Sequence, residues 1–292
     1  MRAAAPVEEG VLERDGFGVG YAMYGAGDVT VCLVMPDTIV HAGAWKAQVP
    51  FLARHFRVVT IDPRGNGRSD RPTGSEQMTA QHLLDDVWAV LDHVGAERVV
   101  MGGVCAGAGL CTILAAERPD RVLGVFAINP GLALRPPLPH RLQFDFDAEL
   151  DTDEGWARSN RHYWLRDWPG FAEFFFTQMF PEPHSSKQVE DTVGWALETT
   201  PETMLIDHDG EPDPRFSTDA EDVCRALRCP VLVVSGSLDM CQDPDRGRRV
   251  AELTGGDFVL LEGCGHLPLA RDPVKINLLL RDFVRQVSRA TV

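Results

Sequence analysis

Short apolar runs alternate with helical segments in this chain from about residue 30 onward. Runs that are apolar along their whole length are typical of parallel strands covered on both faces by helices. We therefore predict an α/β fold with a mostly parallel sheet. The predicted strands are 30–35, 57–61, 98–104, 122–128, 231–234 and 258–261, with helices at 44–54, 79–94, 105–117, 245–253 and 273–287 and an edge hairpin within 11–24.

The alternation stops between residues 131 and 216, where aromatic residues and prolines are dense. We interpret this segment as a mainly helical cap (lid) inserted into the sheet domain. The predicted organisation is a core domain of residues 1–130 and 217–292 with a cap at 131–216. The aromatic residues of the cap favour an apolar pocket, with Tyr163 and Trp164 as candidate lining residues.

The charge balance limits the class of partner. Lys and Arg number 28 against 43 Asp and Glu, a net charge of −15, which argues against nucleic acid or an anionic membrane surface. The first ten residues show no signal peptide, and the uncharged stretch 99–116 is better read as strand, turn and helix than as a membrane span. We expect a cytoplasmic protein with a small-molecule partner. The seven cysteines lack C-x-x-C spacing, which indicates reduced thiols without a disulfide framework or zinc site.

One motif joins a predicted strand to a predicted helix: Gly103-Val104-Cys105-Ala106-Gly107. A nucleophile elbow has this context, because its sharp turn leaves no room for side chains at the glycine positions. The turn places Cys105 at a helix N-terminus, where the helix dipole favours an anion. The backbone N–H of Ala106 is then a candidate donor to an oxyanion.

Two partners follow Cys105 in the order expected of a catalytic triad. Asp239 comes directly after a strand, and His266 lies on the loop after the last strand. Along the chain the nucleophile comes first, then the acid, then the base. This order predicts that Cys105 attacks the substrate, that His266 takes the proton of Cys105 and that Asp239 orients the imidazole. The nearby Asp243 and Asp245 are alternatives for the acid.

At these residues the chain resembles the α/β-hydrolase superfamily over nearly its whole length. The stretch from Trp45 to Ala53 is similar to the helix after the family's third strand. Two further stretches match family motifs. One is the loop Asp62-Pro-Arg-Gly-Asn-Gly-Arg-Ser-Asp70, and the other is the Gly-Cys-Gly-His266 stretch with Pro268. The resemblance implies ester, thioester, amide or related chemistry without a cofactor or metal.

The chain departs from the family pattern at two places. Cysteine stands at position 105 where the family has serine. The usual His-Gly pair before the oxyanion loop is replaced by Pro36 and Asp37, so the first oxyanion N–H would come from Thr38. A carboxylate there repels developing negative charge, and we expect Asp37 to turn away from Cys105, toward His41.

The leading functional hypothesis is a hydrolase of ester or thioester substrates with apolar acyl groups, acting through a covalent acyl-thioenzyme. One alternative is an acyltransferase or cyclase of the same fold that uses Cys105 covalently, because a dry cap excludes water. The other is a non-catalytic protein that binds a small apolar ligand.

Overall fold

A computed structural model describes residues 4–35 and 38–289. The described strands form one sheet in the order β1-β2-β4-β3-β5-β6-β7-β8. Their bounds are β1 Glu8–Arg14, β2 Phe17–Tyr24, β3 Thr30–Val34, β4 Arg57–Ile61, β5 Val99–Val104, β6 Val122–Ile128, β7 Val231–Gly236 and β8 Asp257–Leu261.

The sheet is parallel except at its first edge. The hairpin β1–β2 pairs antiparallel, and β2 pairs antiparallel with β4. All the remaining pairings, from β4 through β3 to β8, are parallel. The predicted fold class is confirmed, and the parallel arrangement brings the carboxyl ends of β5, β7 and β8 to one edge of the sheet.

The described helices begin and end close to the predicted positions in most places. Their bounds are α1 Val49–Leu52, α2 Ala80–His93, α3 Ala106–Glu117, α4 Arg161–Arg166, α5 Trp168–Met179, α6 Ser186–Ala196, α7 Pro201–His208, α8 Ala220–Ala226, α9 Pro244–Thr254, α10 Pro268–Arg271 and α11 Pro273–Arg289. Short 3₁₀ turns are found at Ala42–Trp45, Ser75–Gln77, Pro139–Leu142, Gly155–Arg158 and Pro214–Phe216.

The prediction of one helix over 44–54 is wrong. The chain forms a 3₁₀ turn at Ala42–Trp45 and then the separate short helix α1. Pro50 sits in the first turn of α1, where its missing N–H costs nothing, whereas inside a continuous helix it would remove a hydrogen bond. The periodicity of apolar residues could not distinguish the two arrangements.

Helices cover both faces of the sheet because successive strand residues point to opposite sides. On one face, Val31 and Leu33 of β3 belong to the apolar cluster that includes α1 and α11. On the other, Cys32 and Val34 belong to the cluster that includes α2, α3, α8 and α9. Among the described residues, no helix combines the length and apolarity needed to cross a bilayer.

Residues 131–216 add helices and 3₁₀ turns between β6 and α8, with no strand in this stretch. Its buried aromatic residues join the same apolar cluster as α1 and α11. The division into a core of 1–130 and 217–292 and a cap of 131–216 stays a prediction about domain organisation.

Candidate active site

Cys105 occupies the sharp turn between β5 and α3. Its backbone φ is +54°, a conformation that costs a non-glycine residue about 1–3 kcal/mol and that surrounding contacts must hold in place. Those contacts are present: the Cys105 N–H donates to Ile128 O at 2.9 Å, and the Cys105 carbonyl accepts from Gly131 N at 2.8 Å. The side chain is partly exposed. The thiol is therefore fixed at the N-terminus of α3.

The two glycines of the motif are required by close backbone approach. A Cβ on Gly103 would lie 2.4 Å from Gly107 O, and a Cβ on Gly107 would lie 2.8 Å from the carbonyl carbon of Met35. Neither clash involves a side-chain end that can rotate away. The sequence motif thus reflects a steric requirement at this turn.

Asp239 and His266 are in direct contact. The Nδ1 of His266 lies 2.7 Å from Oδ2 of Asp239, and both side chains are buried. The other carboxylate oxygen, Oδ1, accepts from the N–H groups of Cys241 at 2.6 Å and Gln242 at 2.9 Å. The alternative acid Asp243 instead caps α9 by accepting from Asp245 N at 2.9 Å. Of the three candidate acids, Asp239 is the one hydrogen-bonded to the histidine.

The loop that carries His266 is held by neighbouring residues at several points. Asn129 donates to His266 O at 2.7 Å and accepts from Gly236 N at 3.0 Å, so it joins this loop to the end of β7. His266 N donates to Met179 O at 3.0 Å. Gly265 N donates to Glu182 at 2.7 Å. The imidazole is thus pre-positioned at the sheet edge.

A second thiol, Cys241, lies beside Cys105. The sulfurs of Cys105 and Cys241 and a ring nitrogen of His266 all lie within 4.8 Å of one another. Because Nδ1 is taken by Asp239, Nε2 is the nitrogen left to face the sulfurs. Two donors serve the pair: Arg141 Nη1 is 3.0 Å from Cys241 Sγ, and Gln242 Nε2 is 3.3 Å from Cys105 Sγ.

These contacts change the pKa values at the cluster. The hydrogen bond to Cys241, together with burial, raises the pKa of Cys105. The hydrogen bond from Cys105 lowers the pKa of Cys241 against the effect of burial, and the charges of His266 and Arg141 lower it further. Burial opposes charge on His266, but the Asp239 carboxylate and the two sulfurs outweigh it and raise the pKa of His266. The arrangement favours one negative charge on the sulfur pair beside an imidazolium.

A cavity of about 340 Å³ lies near the cluster, although none of Cys105, Cys241 and His266 lines it. Arg141 contributes to its wall and also contacts Cys241, which links the cavity to the sulfurs. Half of the remaining lining residues are phenylalanine or tryptophan, and Ser159, Asp207 and His208 add polar groups to the wall. The other lining residues are Ile39, Phe144, Phe146, Ser159, Trp164, Phe171, Phe175, Met204, Asp207 and His208.

The remaining predicted site residues have different surroundings. Trp164 lines the cavity, whereas the Tyr163 hydroxyl donates to Asp167 at 3.1 Å. His41 accepts from Gly43 N and lies 3.3 Å from Glu198, beside a separate cavity of about 400 Å³.

The two candidate oxyanion donors are also described. Thr38 is fully buried, with its hydroxyl donating to Arg64 O at 2.9 Å. Ala106 is the first residue of α3, so its N–H has no partner within the helix. Their role at an oxyanion stays a prediction.

Asp37 and Pro36 lie outside the described residues, so the orientation expected for Asp37 stays a prediction too.

Sequence reasoning missed several residues at this site. Cys241 and Gln242 follow Asp239 closely, and their nearness to the acid was a usable signal. No sequence signal indicated Arg141, because its 3₁₀ turn is distant in sequence from the other site residues and lies beside them only in the folded chain. In that turn His140 Nε2 also lies 2.8 Å from Met240 O.

Comparisons with known proteins agree with this architecture. Epoxide hydrolase A of Mycobacterium tuberculosis (strain ATCC 25618 / H37Rv) is 26% identical over 280 residues, covering 83% of this chain and 86% of that protein. The bifunctional esterase/perhydrolase DCH of Acinetobacter calcoaceticus is 25% identical over 283 residues, covering 94% and 99%. A solved structure described as "Est816 as an N-Acyl homoserine lactone degrading enzyme" superposes with a TM-score of 0.77 at 23% identity, covering 94% of this chain and 100% of that one.

A family model described as "alpha/beta hydrolase fold" matches residues 38–273, which include the strand-to-helix turn at Cys105 and both of its candidate partners. The resemblance inferred from the motifs is therefore confirmed at the level of the family. The chain belongs to the alpha/beta hydrolase fold family.

Proposed function

We propose that this protein is a hydrolase of ester or thioester substrates in which Cys105 is the nucleophile, His266 the base and Asp239 the orienting acid. One observation carries most of the weight. The thiol at the N-terminus of α3 lies within 4.8 Å of a ring nitrogen of His266, and Nδ1 of that ring is 2.7 Å from the buried Asp239 carboxylate. A nucleophile, a base and an orienting group in this relation are what covalent acyl transfer requires.

The reaction follows from these positions. With His266 already holding a proton given up by the sulfur pair, the Cys105 sulfur attacks the substrate carbonyl, and Asp239 stabilises the imidazolium. Backbone N–H groups of Ala106 and Thr38 donate to the oxyanion. The bond to the leaving group breaks, the leaving group takes the proton from His266, and an acyl-thioenzyme remains. His266 then takes a proton from a water that attacks this thioester. The carbon–sulfur bond breaks, the acid is released, and the Cys105 sulfur leaves as a thiolate beside the imidazolium.

The aromatic cavity beside Arg141 supports an apolar acyl group as the part of the substrate that is bound. We propose that residues 131–216 act as the cap that covers this group, since most of the lining residues come from that segment. Thioesters suit a cysteine nucleophile because a thiolate leaves more readily than an alkoxide. The esterase activity named for the Acinetobacter relative supports an ester substrate as well.

The test is turnover of a panel of activated esters and acyl thioesters by matched cysteine variants. Cys105→Ala is expected to lose turnover, and Cys105→Ser to retain little, because its oxygen lacks the nucleophilicity of sulfur. Cys229→Ala removes a partly exposed thiol away from the site and serves as control. Undiminished turnover by Cys105→Ala would exclude the covalent route.

A second outcome is transfer or cyclisation, which the phenylalanine and tryptophan residues of the cavity favour to the extent that they keep water from the acyl-thioenzyme. Turnover in heavy-oxygen water separates the two outcomes. Hydrolysis places one labelled oxygen in every acid product, whereas transfer leaves the product unlabelled. A non-catalytic binding protein would give neither product, and its Cys105 would not be alkylated selectively by iodoacetamide near neutral pH.

A further inference from the structure

Cys105, Cys241 and His266 form a compact set of soft donor atoms at the edge of the sheet. Their sulfurs and ring nitrogen lie within 4.8 Å of one another, although the residues come from three separate loops. Spacing along the chain argued against a zinc site, but that argument concerns ligands that are close in sequence. The fold brings this set together across β5, β7 and β8.

The donor set matches the preference of a thiophilic divalent cation. Zn²⁺ binds thiolate sulfur at about 2.3 Å and imidazole nitrogen at about 2.0–2.1 Å, and a set of two cysteines and one histidine leaves its fourth tetrahedral position open. Two such ligand atoms on one tetrahedral zinc ion are about 3.5–3.8 Å apart, so donor atoms within 4.8 Å of one another would have to move closer by at most about 1 Å. Because Cys105 is partly exposed, solvent can reach the cluster and fill the open position.

The groups around the cluster suit a bound cation. Asp239 holds Nδ1 of His266 at 2.7 Å, which fixes the ring with Nε2 available, as is usual for histidines that ligate metals. Arg141 Nη1 and Gln242 Nε2 donate to the two sulfurs at 3.0 and 3.3 Å. A thiolate bound to zinc can still accept such bonds.

Charges of both signs surround the cluster. Two thiolates and the Asp239 carboxylate would carry three negative charges, against one positive charge each on Arg141 and Arg246 and two on a divalent cation. Burying thiolates without such compensation is costly. A cation therefore stabilises a state in which both sulfurs are deprotonated.

We propose that Cys105, Cys241 and His266 bind one Zn²⁺, or a similar thiophilic divalent cation, and that the bound ion blocks the Cys105 sulfur. Binding forms two metal–sulfur bonds and one metal–nitrogen bond, and two protons pass to solvent, one from the remaining cysteine thiol and one from the ligating nitrogen of the His266 imidazolium. The ion is an inhibitor of this centre and takes no part in turnover. Binding of the ion does not depend on Cys105 being a nucleophile, whereas its role as an inhibitor rests on the proposed function.

The first experiment measures Zn²⁺ affinity of the reduced, chelator-stripped full chain by competition with a chromophoric chelator. Cys241→Ala is expected to weaken binding at least tenfold. Asp239→Asn is expected to weaken it by about 10–100-fold, the usual cost of losing the partner of a ligating histidine. Cys229→Ala should bind as the unsubstituted chain does. Equal affinity in the unsubstituted chain and Cys241→Ala would overturn the proposal.

A second measurement uses the unsubstituted chain alone, so it does not require a variant to fold. Co²⁺ in place of Zn²⁺ should give an intense sulfur-to-cobalt charge-transfer band, and Zn²⁺ should protect Cys105 and Cys241, but not Cys229, from iodoacetamide. Absence of both the band and the protection would overturn the proposal. Loss of turnover in Cys105→Ala tests the proposed hydrolase function separately, so either idea can fail without the other.

Discussion

At the residue scale, the state of the Cys105 sulfur depends on an amide that is held in one orientation. Gln242 Nε2 donates to Cys105 Sγ at 3.3 Å, while its Oε1 accepts from the guanidinium of Arg246. Arg246 is buried and also donates to Arg135 O at 2.7 Å. Because a guanidinium only donates, it fixes the Gln242 oxygen toward itself and the NH₂ toward sulfur.

Replacing this amide tests its effect on the thiol. Gln242→Met keeps the side-chain length but removes the donor, and a hydrogen bond to a charged group is worth about 1.5–3 kcal/mol. We expect alkylation of Cys105 by iodoacetamide at fixed pH to slow by about 10–100-fold. Gln81→Met, on the exposed face of α2, is the matched control. Equal alkylation rates for the two variants would show that Gln242 does not act on the sulfur.

At the element scale, sequence reasoning located most strands and the main helices, because buried parallel strands have uninterrupted apolar runs. It located the turn at Cys105 for a steric reason that the structure bears out at Gly103 and Gly107. It could not resolve the helices of 131–216, where aromatic residues occur without a clear period. Nor could it find Arg141, because no local pattern indicates which loop residue will meet a sulfur across the sheet.

The turn itself gives a stability prediction. Gly103→Ala places a methyl group 2.4 Å from Gly107 O, and such overpacking costs about 1–3 kcal/mol. Gly194→Ala is the control, because nothing lies within 4 Å of its added Cβ inside α6. It should stabilise the fold by about 0.5–1 kcal/mol through helix propensity. Urea unfolding measures both variants, and a Gly103→Ala protein as stable as Gly194→Ala would contradict the steric account of the motif.

At the scale of the whole molecule, ion pairs connect segments that are distant in sequence. Asp213 accepts from its neighbour Arg215 at 2.9 Å, and Arg215 also pairs with Glu117 at the end of α3. The hydrogen bond from Arg215 lowers the pKa of Asp213 below its ordinary value of 3.8, against the effect of burial. This network anchors the chain just before α8 to the sheet domain.

The network predicts a loss of stability in acid. A carboxyl whose pKa is lower in the folded state adds stability above its unfolded pKa, and that stability disappears as pH falls through the folded value. Asp213→Asn should therefore be less stable than the unsubstituted chain at neutral pH, with the difference shrinking below about pH 4. Unfolding free energies measured across this range check the prediction. In an Arg215→Met background the pH-dependent part should shrink but not vanish, because the backbone N–H of residue 215 still donates to Asp213 at 2.8 Å. An undiminished pH dependence in that background would assign it to another group.

The central claim is that Cys105 forms a covalent acyl intermediate, and trapping that intermediate tests it most directly. The full chain is mixed with an activated acyl thioester, quenched in acid within the first turnover, and analysed by intact mass and peptide mapping. The predicted result is one acyl group per chain on the peptide that contains Cys105, and none in Cys105→Ala. Product formed at an undiminished rate with no adduct, or with the adduct on another residue, would contradict the account.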